Sequence, residues 1–277
     1  MQPIGVFDSG VGGLSVLGAL RQALLRERFV YVSDAGHAPY GERDVAHVLA
    51  RSVAVGNYLV QSHQVKALVV ACNTATAAAI AALRARYPDL PIVGVEPALK
   101  PAAVRSRTAV VGVLATRSTL ASEKFQALLQ AQPSHVRFVL QACDGLAAAI
   151  ERADTEQIQV LCARYTAALG PVGSASGAID TVVLGCTHYP FVQHLIEQVS
   201  AAAGRPVGLV DTGAAVARQL QRLLQQHQLQ ASSSAKTGLL TAYTTGSRTA
   251  LMTAFSKLLD LTPTVEQVGV ATGAAEK

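Results

Sequence analysis

The stretch Lys66–Ile80, KALVVACNTATAAAI, decides the fold because it joins a buried strand to a helix within a few residues. Ala67–Ala71 is apolar and favours a strand, whereas Ala75–Ala82 is rich in alanine, the residue with the highest helix propensity. Cys72 therefore lies where the strand ends and the helix begins. The first amides of a helix have no intrahelical partner, so a thiol there ionises more readily and an anion can bind beside it.

This position leaves two interpretations of Cys72 open. In the first, Cys72 is a nucleophile or a base at the end of a strand. In the second, it is a small core hydrophobe, and Asn73 or Thr74 caps the helix. For an isolated cysteine the second interpretation is the commoner one, whereas a second cysteine in an equivalent position favours the first.

Around this junction, short β-favouring runs alternate with longer helix-favouring segments, a pattern typical of an α/β protein with mainly parallel strands. A chain of 277 residues, 50% of them hydrophobic, is long enough for two domains of ordinary size. Gln226–Lys236 is the most linker-like stretch, and we expect the tail Ala271–Lys277 to fray. The predicted strands are Ile4–Phe7, Phe29–Ser33, Ala67–Ala71, Ile92–Val95, Ala109–Leu114, Val136–Leu140, Thr181–Leu184 and Gly208–Val210.

An internal repeat links the two halves of the chain. Cys72 and Cys186, 114 positions apart, each follow a buried strand and precede polar, Thr-bearing positions. Three pairs of segments match in the same order: Ile4–Gly10 with Val111–Thr119, LVVACNTATAAA with TVVLGCTHYPFV, and Pro91–Ala98 with Arg205–Ala214, which sets Glu96 opposite Asp211. One match would mean little, whereas three in order predict two copies of one α/β unit.

The repeat predicts the domain organisation and the place of the site. We expect two similar α/β domains with mainly parallel sheets, related by a pseudo-twofold axis: residues 1–97 with 208–277, and residues 98–207. Ligands of open α/β sheets bind at the carboxyl ends of the strands, where each copy supplies a cysteine. The active site is therefore expected in the cleft between the domains.

The composition narrows the class of protein. Four widely spaced cysteines without a CxxC pair do not indicate a disulfide scaffold, a zinc site or a redox motif. The formal net charge of +5 comes mostly from arginines scattered singly or in close pairs, so a nucleic-acid partner is not favoured. No apolar run reaches the roughly 18 to 20 residues that span a bilayer, and no signal-peptide pattern is present, so we expect a cytoplasmic protein without a membrane partner.

Two cysteines from quasi-symmetric halves have a chemical meaning that one cysteine lacks. Inverting a stereocentre by moving one proton requires a base on one face and an acid on the other, with the roles exchanged in the reverse direction. A cysteine, with an ordinary pKa of about 8.5, needs little tuning to act as a thiolate while its partner stays protonated. Asp8, at the end of the first strand, and His188, two residues after Cys186, are candidates to tune the thiols. Cys143 and Cys162 have no polar strand-end context, so we expect them to be structural.

Eight short motifs run in order over nearly the whole chain. They are Phe7–Val16 (FDSGVGGLSV), Asp34–Arg43 (DAGHAPYGER), Ala71–Thr76 (ACNTAT), Gly94–Ala98 (GVEPA), Gly112–Thr119 (GVLATRST), Gly185–Pro190 (GCTHYP), Val210–Gly213 (VDTG) and Tyr243–Gly246 (YTTG). Together they resemble the cofactor-independent glutamate racemases of bacterial cell-wall synthesis. The resemblance implies two α/β domains around an interdomain active site, and reversible interconversion of L- and D-glutamate that supplies D-glutamate for peptidoglycan. It also implies a homodimer, and neither pyridoxal phosphate nor a metal.

The resemblance assigns roles to individual residues. By it, Cys72 takes the α-proton from D-glutamate and Cys186 takes it from L-glutamate, with Asp8 and His188 supporting the thiols. The residues it implies in substrate binding are Asp8, Ser9, Pro39, Tyr40, Gly41, Asn73, Thr74, Thr116, Thr119, Thr187 and His188.

One predicted catalytic residue lies where the chain departs from the family pattern. The family often has a Cys-Pro motif followed by a glutamate, whereas this chain reads ACDGLAAAIER over Ala142–Arg152, with Asp144 in the place of the proline. The resemblance still implies a catalytic role for Glu151. The alternative is that Glu151 is a solvated helix residue beside Arg152.

Two other functions remain open from the sequence. Gly10–Ser15, GVGGLS, follows a strand and opens a helix as a dinucleotide-binding turn does, and Asp34 stands where such a site places its ribose-binding acid. Ser15 replaces the third glycine of that motif. Asp8 would also bring a carboxylate toward the pyrophosphate, and the two negative charges would repel each other. A nucleotide-binding protein would also leave the paired cysteines unexplained. Within the racemase superfamily, the alternative is an aspartate or other amino-acid racemase.

Overall fold

The structure, a computed structural model, describes residues 2–202, 207–232 and 238–272. Its contacts divide the chain into two compact units: unit 1 is Met1–Val95 with Gly213–Lys277, and unit 2 is Glu96–Thr212. Residues 233–236 of the predicted linker, 273–277 of the predicted frayed tail and 205–206 of the third repeat match lie outside the described residues. Within the described ranges, no helix combines the length and the apolar character needed to cross a bilayer.

The described part of the chain alternates strands and helices, as predicted for an α/β protein. The strands are β1 (Ile4–Asp8), β2 (Phe29–Ser33), β3 (Ala67–Val70), β4 (Ile92–Gly94), β5 (Val110–Ala115), β6 (Arg137–Ala142), β7 (Thr181–Gly185), β8 (Gly208–Val210), β9 (Leu240–Thr244) and β10 (Thr264–Gln267). The helices are α1 (Leu14–Ala23), α2 (Val45–His63), α3 (Asn73–Arg86), α4 (Leu99–Arg105), α5 (Arg117–Ala121), α6 (Glu123–Gln130), α7 (Leu146–Glu151), α8 (Thr155–Ala168), α9 (Gln193–Ala202), α10 (Gly213–Gln226) and α11 (Arg248–Leu259).

All eight predicted strands are present, with ends that differ by at most two residues from the prediction. The sequence analysis missed β9 and β10. Their residues, LTAYT and TVEQ, mix polar and apolar side chains and are only partly buried, so they lack the continuous apolar pattern of a central strand.

Unit 1 contains a six-stranded sheet in the order β10-β9-β2-β1-β3-β4, and all its strand pairs are parallel. The central strands β1, β2 and β3 are buried along their whole length, which explains their near-continuous runs of apolar residues. The helix α2 packs on α3, and α1 packs on α10 and α11. Asp8 ends β1, and Cys72 follows the carboxyl end of the neighbouring strand β3, in which Val70 is paired with Phe7 of β1.

Unit 2 contains a four-stranded parallel sheet in the order β6-β5-β7-β8. Strands β5 and β7 are fully buried at its centre, whereas β6 forms a partly exposed edge. The helix α8 packs on α7 and α9. Ala115 and Gly185 are register partners, so Thr116 and Cys186 both follow strand ends at the same edge of this sheet.

The two sheets share one topology, which confirms the predicted internal repeat. The order β2-β1-β3-β4 in unit 1 matches β6-β5-β7-β8 in unit 2. The register of the central pair is also the same: Ile4 pairs with Ala67, and Val111, its counterpart in the repeat, pairs with Thr181. The outer pair differs by two residues from the sequence match, since Leu68 pairs with Ile92 but Val182 pairs with Leu209. A shift of two residues keeps every side chain on the same face of the sheet.

The division of the chain differs from the predicted domains at both boundaries. The prediction placed residue 208 at the start of the returning segment, whereas unit 2 extends to Thr212. The reason is that β8 pairs with β7 and therefore belongs to the sheet of unit 2. The first boundary, predicted after residue 97, lies after Val95.

Candidate functional site

Cys72 is itself the N-cap of α3. Its backbone is extended, with φ −137° and ψ 124°, and its Sγ accepts a hydrogen bond from the amide of Ala75 at 3.4 Å. The alternative in which Asn73 or Thr74 caps this helix is therefore wrong, because both residues lie inside its first turn. A sulfur atom that accepts an amide at the positive end of a helix favours the thiolate form.

Ser9 and Asp8 approach this thiol from the end of β1. The hydroxyl of Ser9 lies 3.8 Å from the Sγ of Cys72, and both residues are buried. The Asp8 carboxylate is fully buried and accepts a hydrogen bond from the amide of Gly10 at 2.9 Å. Ser9 thus lies beside the Cys72 sulfur, and Asp8 is hydrogen-bonded within the loop that carries Ser9.

Gly13 allows this loop to pack closely. A Cβ atom at position 13 would lie 2.5 Å from the Cβ of Asp8 and 3.0 Å from the hydroxyl of Tyr31. Real Cβ atoms do not approach so closely, so a side chain here would displace Asp8. Gly13 therefore lets the start of α1 pack closely against the end of β1, and this contact holds Asp8 in place.

Pro39, Tyr40 and Gly41 lie in a loop that contacts α3. Tyr40 begins a short 3-10 turn, Tyr40–Glu42, that packs against α3. Its side chain is 1% exposed, shares a core cluster with Cys72, and donates a hydrogen bond to Asp34 Oδ2 at 2.5 Å. Burial, followed by the negative charge of Asp34, raises the pKa of Tyr40 far above its ordinary value. The phenol therefore stays protonated and donates its hydrogen bond at any physiological pH.

Asn73 and Thr74 occupy the first turn of α3 and are buried. The side-chain oxygen and nitrogen of Asn73 have no hydrogen-bond partner among the described residues. Leaving such a buried polar group without a partner costs about 1–3 kcal/mol. Asn73 is therefore a candidate to bind a polar ligand beside Cys72.

Unit 2 brings three predicted catalytic side chains into contact. The Sγ of Cys186 lies 3.5 Å from Nδ1 of His188, and Nε2 of His188 lies 2.6 Å from Oε1 of Glu151. Cys186 and His188 are buried after β7, and Glu151 is the last residue of α7 with its side chain 18% exposed. Glu151 is therefore hydrogen-bonded to His188, and the solvated-helix alternative does not describe it.

The charge state of His188 follows from these two neighbours. Burial lowers the pKa of His188, but the negative charge of Cys186 and the hydrogen bonds to Cys186 and Glu151 outweigh burial and raise it well above its ordinary value. The protonated imidazole has two N–H donors, one for the sulfur of Cys186 and one for the carboxylate of Glu151. This arrangement holds a proton at Nδ1, within hydrogen-bonding distance of the thiol.

The predicted threonines of unit 2 lie at the same edge of its sheet. Thr116 caps α5 by accepting a hydrogen bond from the amide of Thr119 at 3.1 Å, and its hydroxyl contacts that of Thr119 at 2.9 Å. Thr119 and Thr187 are buried. These threonines therefore lie at the edge of the sheet where Cys186 follows β7.

The departure from the family pattern at Asp144 has a local explanation. Asp144 forms an ion pair with Arg117, and their side chains are 48% and 71% exposed. An ion pair this exposed adds little to stability. The substitution leaves Glu151 in contact with His188.

Cys143 and Cys162 are both buried free thiols. Burial raises the pKa of Cys162 to about 11 and raises that of Cys143 still further. Both therefore remain protonated near neutral pH. The prediction that Cys143 lacks a strand-end position is wrong, because β6 ends one residue before it at Ala142. The polar residue Gln141 interrupts the apolar run of β6 just before its last residue, which concealed its end in the sequence.

The dinucleotide-binding alternative conflicts with the geometry of the Gly10–Ser15 turn. The amide of Gly10, which a phosphate would need, donates to Asp8 instead. Asp34, the candidate ribose acid, is fully buried and is paired with Arg51 and Tyr40. Neither group is available to a nucleotide.

Arg51, Thr245 and Val270 belong to the hydrogen-bond network around Asp34. The sequence analysis missed Arg51 and Val270, and it gave no role to Thr245 of the motif Tyr243–Gly246. Asp34 accepts hydrogen bonds from Arg51 at 3.0 and 2.7 Å, from Tyr40 at 2.5 Å and from Thr245 at 2.8 Å. The carbonyl of Val270 accepts a third bond from Arg51 at 2.6 Å. An arginine in the middle of a helix carries no sequence signal of burial, and Thr245 is 211 positions from Asp34.

Several curated relatives and solved structures that are similar to this chain are glutamate racemases. The chain is 51% identical to the glutamate racemase of Pseudomonas syringae pv. tomato over 84% of this chain and 82% of that protein, and 52% identical to that of Ectopseudomonas mendocina over 84% and 86%. Its structure matches glutamate racemase isoform RacE1 from Bacillus anthracis with a TM-score of 0.84 and 29% identity, over 97% of this chain and 98% of that one. It also matches Escherichia coli glutamate racemase, solved with L-glutamate and the activator UDP-MurNAc-ala, with a TM-score of 0.79 and 29% identity over 98% and 100% of the two chains.

A family profile covers most of the chain. The profile of the Asp/Glu/hydantoin racemases matches residues 4–220, a range that contains every predicted site residue from Asp8 to His188. With two topologically equivalent units that each carry a cysteine just after a central strand, this chain belongs to the Asp/Glu/hydantoin racemase family.

Proposed function

We propose that this chain is a glutamate racemase that interconverts L- and D-glutamate by proton transfer at the α-carbon between Cys72 and Cys186. The observation that carries the proposal is the equivalent placement of the two thiols, each at the carboxyl end of the third strand in the shared topology. The identity of about half the residues to glutamate racemases supports glutamate as the substrate.

The reaction needs the two half-sites to face opposite sides of one substrate molecule. We propose that the strand ends of unit 1 and unit 2 form a cleft and that glutamate binds there between the two thiols. A thiolate on one face removes the α-proton, and the electron pair left at the α-carbon takes a proton from the thiol on the other face. One thiolate and one thiol have then exchanged roles, so the two sulfurs together keep the same number of protons.

The two thiols differ in how the protein supports them. Cys72 accepts the amide of Ala75 and lies beside the Ser9 hydroxyl, so a helix end and a hydroxyl stabilise its thiolate. Cys186 has a protonated imidazole instead, held in place by Glu151. By the family resemblance, Cys72 removes the proton of D-glutamate and Cys186 that of L-glutamate.

We propose that neutral donors hold the two carboxylates of the substrate. The predicted binding residues supply hydroxyls, a side-chain amide and backbone amides near helix starts, which are ready anion sites. The two arginines in the predicted binding motifs, Arg43 and Arg117, are exposed, and Arg117 is paired with Asp144. The buried Arg51 is already paired with Asp34. A co-crystal with arginine forks on both carboxylates would contradict this assignment.

The wider role follows from the product. We propose that the protein works in the cytoplasm as a homodimer and that its D-glutamate enters peptidoglycan, as the resemblance implies. Light scattering of the purified protein tests the dimer independently of activity.

The first prediction is that the purified chain racemises glutamate with no added cofactor. In deuterated buffer, both enantiomers should lose the α-proton signal in NMR while the optical rotation falls to zero, because the proton returned to the α-carbon comes from the solvent-exchanged thiol. A chelator should not change the rate. Activity that vanished on dialysis and returned only with pyridoxal phosphate or a divalent metal would contradict the two-thiol mechanism.

A substrate panel serves as the control for this experiment. The family profile also covers aspartate racemases by its description, so L-aspartate and other amino acids should be incubated in parallel and separated by chiral chromatography. We expect glutamate to react far faster than aspartate. Preference for aspartate would assign the second function within the superfamily.

A further inference from the structure

We propose that Arg51 is a positioning residue of the substrate-binding loop, and that it acts on Tyr40 through the carboxylate of Asp34. The inference deepens the proposed racemase function and rests on it. Asp34 and Tyr40 lie within one of the eight motifs, whereas Arg51 lies outside all of them. Its contacts alone point to this role.

The guanidinium of Arg51 orients the Asp34 carboxylate through two hydrogen bonds. Nε donates to Oδ2 of Asp34 at 3.0 Å and Nη2 donates to Oδ1 at 2.7 Å, so the two side chains form a bidentate pair. The side chains are 4% and 0% exposed. Away from water such a pair keeps a defined geometry, because the planar guanidinium matches the two carboxylate oxygens.

The oriented carboxylate in turn fixes Tyr40. Oδ2 of Asp34 accepts the Tyr40 hydroxyl at 2.5 Å, and Oδ1 accepts that of Thr245 at 2.8 Å. The turn that begins at Tyr40 packs against α3, whose N-cap is Cys72. The position of this turn, and of Pro39 and Gly41 beside Tyr40, therefore depends on a carboxylate that Arg51 orients.

A third bond connects this network to the end of the described chain. Nη1 of Arg51 donates to the carbonyl of Val270 at 2.6 Å, and Val270 is buried in the same core cluster as Tyr40 and Cys72. Arg51 thus joins α2, the strand end at Asp34 and the segment after β10. A lysine at position 51 would keep the charge, but its compact ammonium group could not reproduce the fork and the third bond together.

Unit 1 contains a second buried ion pair that serves as a matched control. Lys66 lies 2.6 Å from Glu27, both side chains are 5% exposed, and Lys66 also donates to the carbonyl of Leu229 at 2.5 Å. Like the Arg51 pair, it anchors a distant backbone segment. Lys66 directly precedes β3, so it lies at the opposite end of this strand from Cys72.

The test compares Arg51→Lys with Lys66→Met in the full chain. We expect Arg51→Lys to raise KM for D-glutamate about ten-fold, the effect of losing a hydrogen bond to a charged group, and to change kcat by less than about three-fold. Lys66→Met should lower the thermal unfolding temperature at least as much as Arg51→Lys does, because it leaves Glu27 buried without its partner. It should leave KM unchanged. An equal rise of KM in both variants would show general loosening of unit 1 and overturn the proposal.

A double-mutant cycle tests the path through Tyr40. Tyr40→Phe removes the hydroxyl that bonds to Asp34, so its effect on KM and that of Arg51→Lys should not add in the combined variant. Additive effects would overturn the proposed path. If Arg51→Lys does not fold, Tyr40→Phe alone replaces it, since it removes the hydroxyl that Asp34 holds and leaves the Arg51–Asp34 pair intact; an unchanged KM would then contradict the inference.

The outcomes separate this inference from the proposed function. A wild-type chain without glutamate racemisation would refute the proposed function. An active wild-type chain whose KM is unchanged by Arg51→Lys would refute the positioning role alone.

Discussion

Replacing either Cys72 or Cys186 by alanine is expected to lower racemisation in both directions by about 1,000-fold, within the range of a lost acid or base. Each turnover needs one thiolate to remove a proton and the opposite thiol to return another, so neither direction survives with one sulfur. The initial rate of racemisation measured by circular dichroism checks this result. Full activity in either alanine variant would end the two-base mechanism.

Serine at either position should separate the two faces. A hydroxyl is a far weaker base than a thiolate but can still donate a proton, so the larger defect should fall on the enantiomer whose α-proton the altered residue removes. We expect this enantiomer to be D-glutamate for Cys72→Ser and L-glutamate for Cys186→Ser. Initial rates of α-proton exchange in deuterated buffer are required, because the overall equilibrium constant ties the two steady-state directions together.

The remaining cysteines provide matched controls. Cys143→Ala and Cys162→Ala should retain racemisation, because burial keeps both thiols protonated near neutral pH. Equal loss of exchange with both enantiomers in Cys72→Ser and Cys186→Ser would leave the assignment of faces without support.

The second large effect is expected from His188. His188→Asn should lower the rate of α-proton exchange from L-glutamate by about 100-fold, because it removes the protonated ring beside the Cys186 sulfur. Glu151→Gln should have a smaller effect, since Glu151 acts on Cys186 only through His188. The same variants should affect exchange from D-glutamate less, because Cys72 removes that proton. Equal defects with both enantiomers would contradict a role at the Cys186 face.

The pH profile tests the same contact in another way. The negative charge of Glu151 is among the causes that raise the pKa of His188, so Glu151→Gln should lower that pKa. The ring of His188 would then lose its proton at a lower pH. The alkaline limb of kcat/KM for L-glutamate should therefore move to lower pH, and an NMR titration of the His188 ring should show the same direction. An unchanged limb would show that the charge of His188 does not govern this step.

Several parts of the fold followed directly from local pattern. The apolar run that ends at Cys72 and the alanine-rich residues after it predicted β3 and α3 within one residue at the strand end. The repeat predicted the shared strand order, because the same residue types recur at both strand-to-helix junctions. The strands β9 and β10 were missed, since at one side of the sheet they are partly exposed and lack a continuous apolar pattern.

The site was predicted where its residues lie in short motifs. Cys72 and Cys186 were identified by their junctions, and His188 by its place two residues after Cys186. The contact of His188 with Glu151 joins residues 37 positions apart, and only the packing of α7 beside the end of β7 shows it. The capping of α3 by Cys72 in place of Asn73 also required backbone angles that residue type does not specify.

By itself the sequence determined the α/β class, the two-fold repeat and the pair of thiols, because hydrophobic periodicity and residue type at a strand end are local properties. Only the tertiary structure decided which unit β8 joins, that Arg51 is buried against Asp34, and that Glu151 binds His188. These features depend on hydrogen bonds between residues distant in the chain. A buried arginine or glutamate has the same letter as a solvated one, and its partner becomes evident only when folding removes both from water.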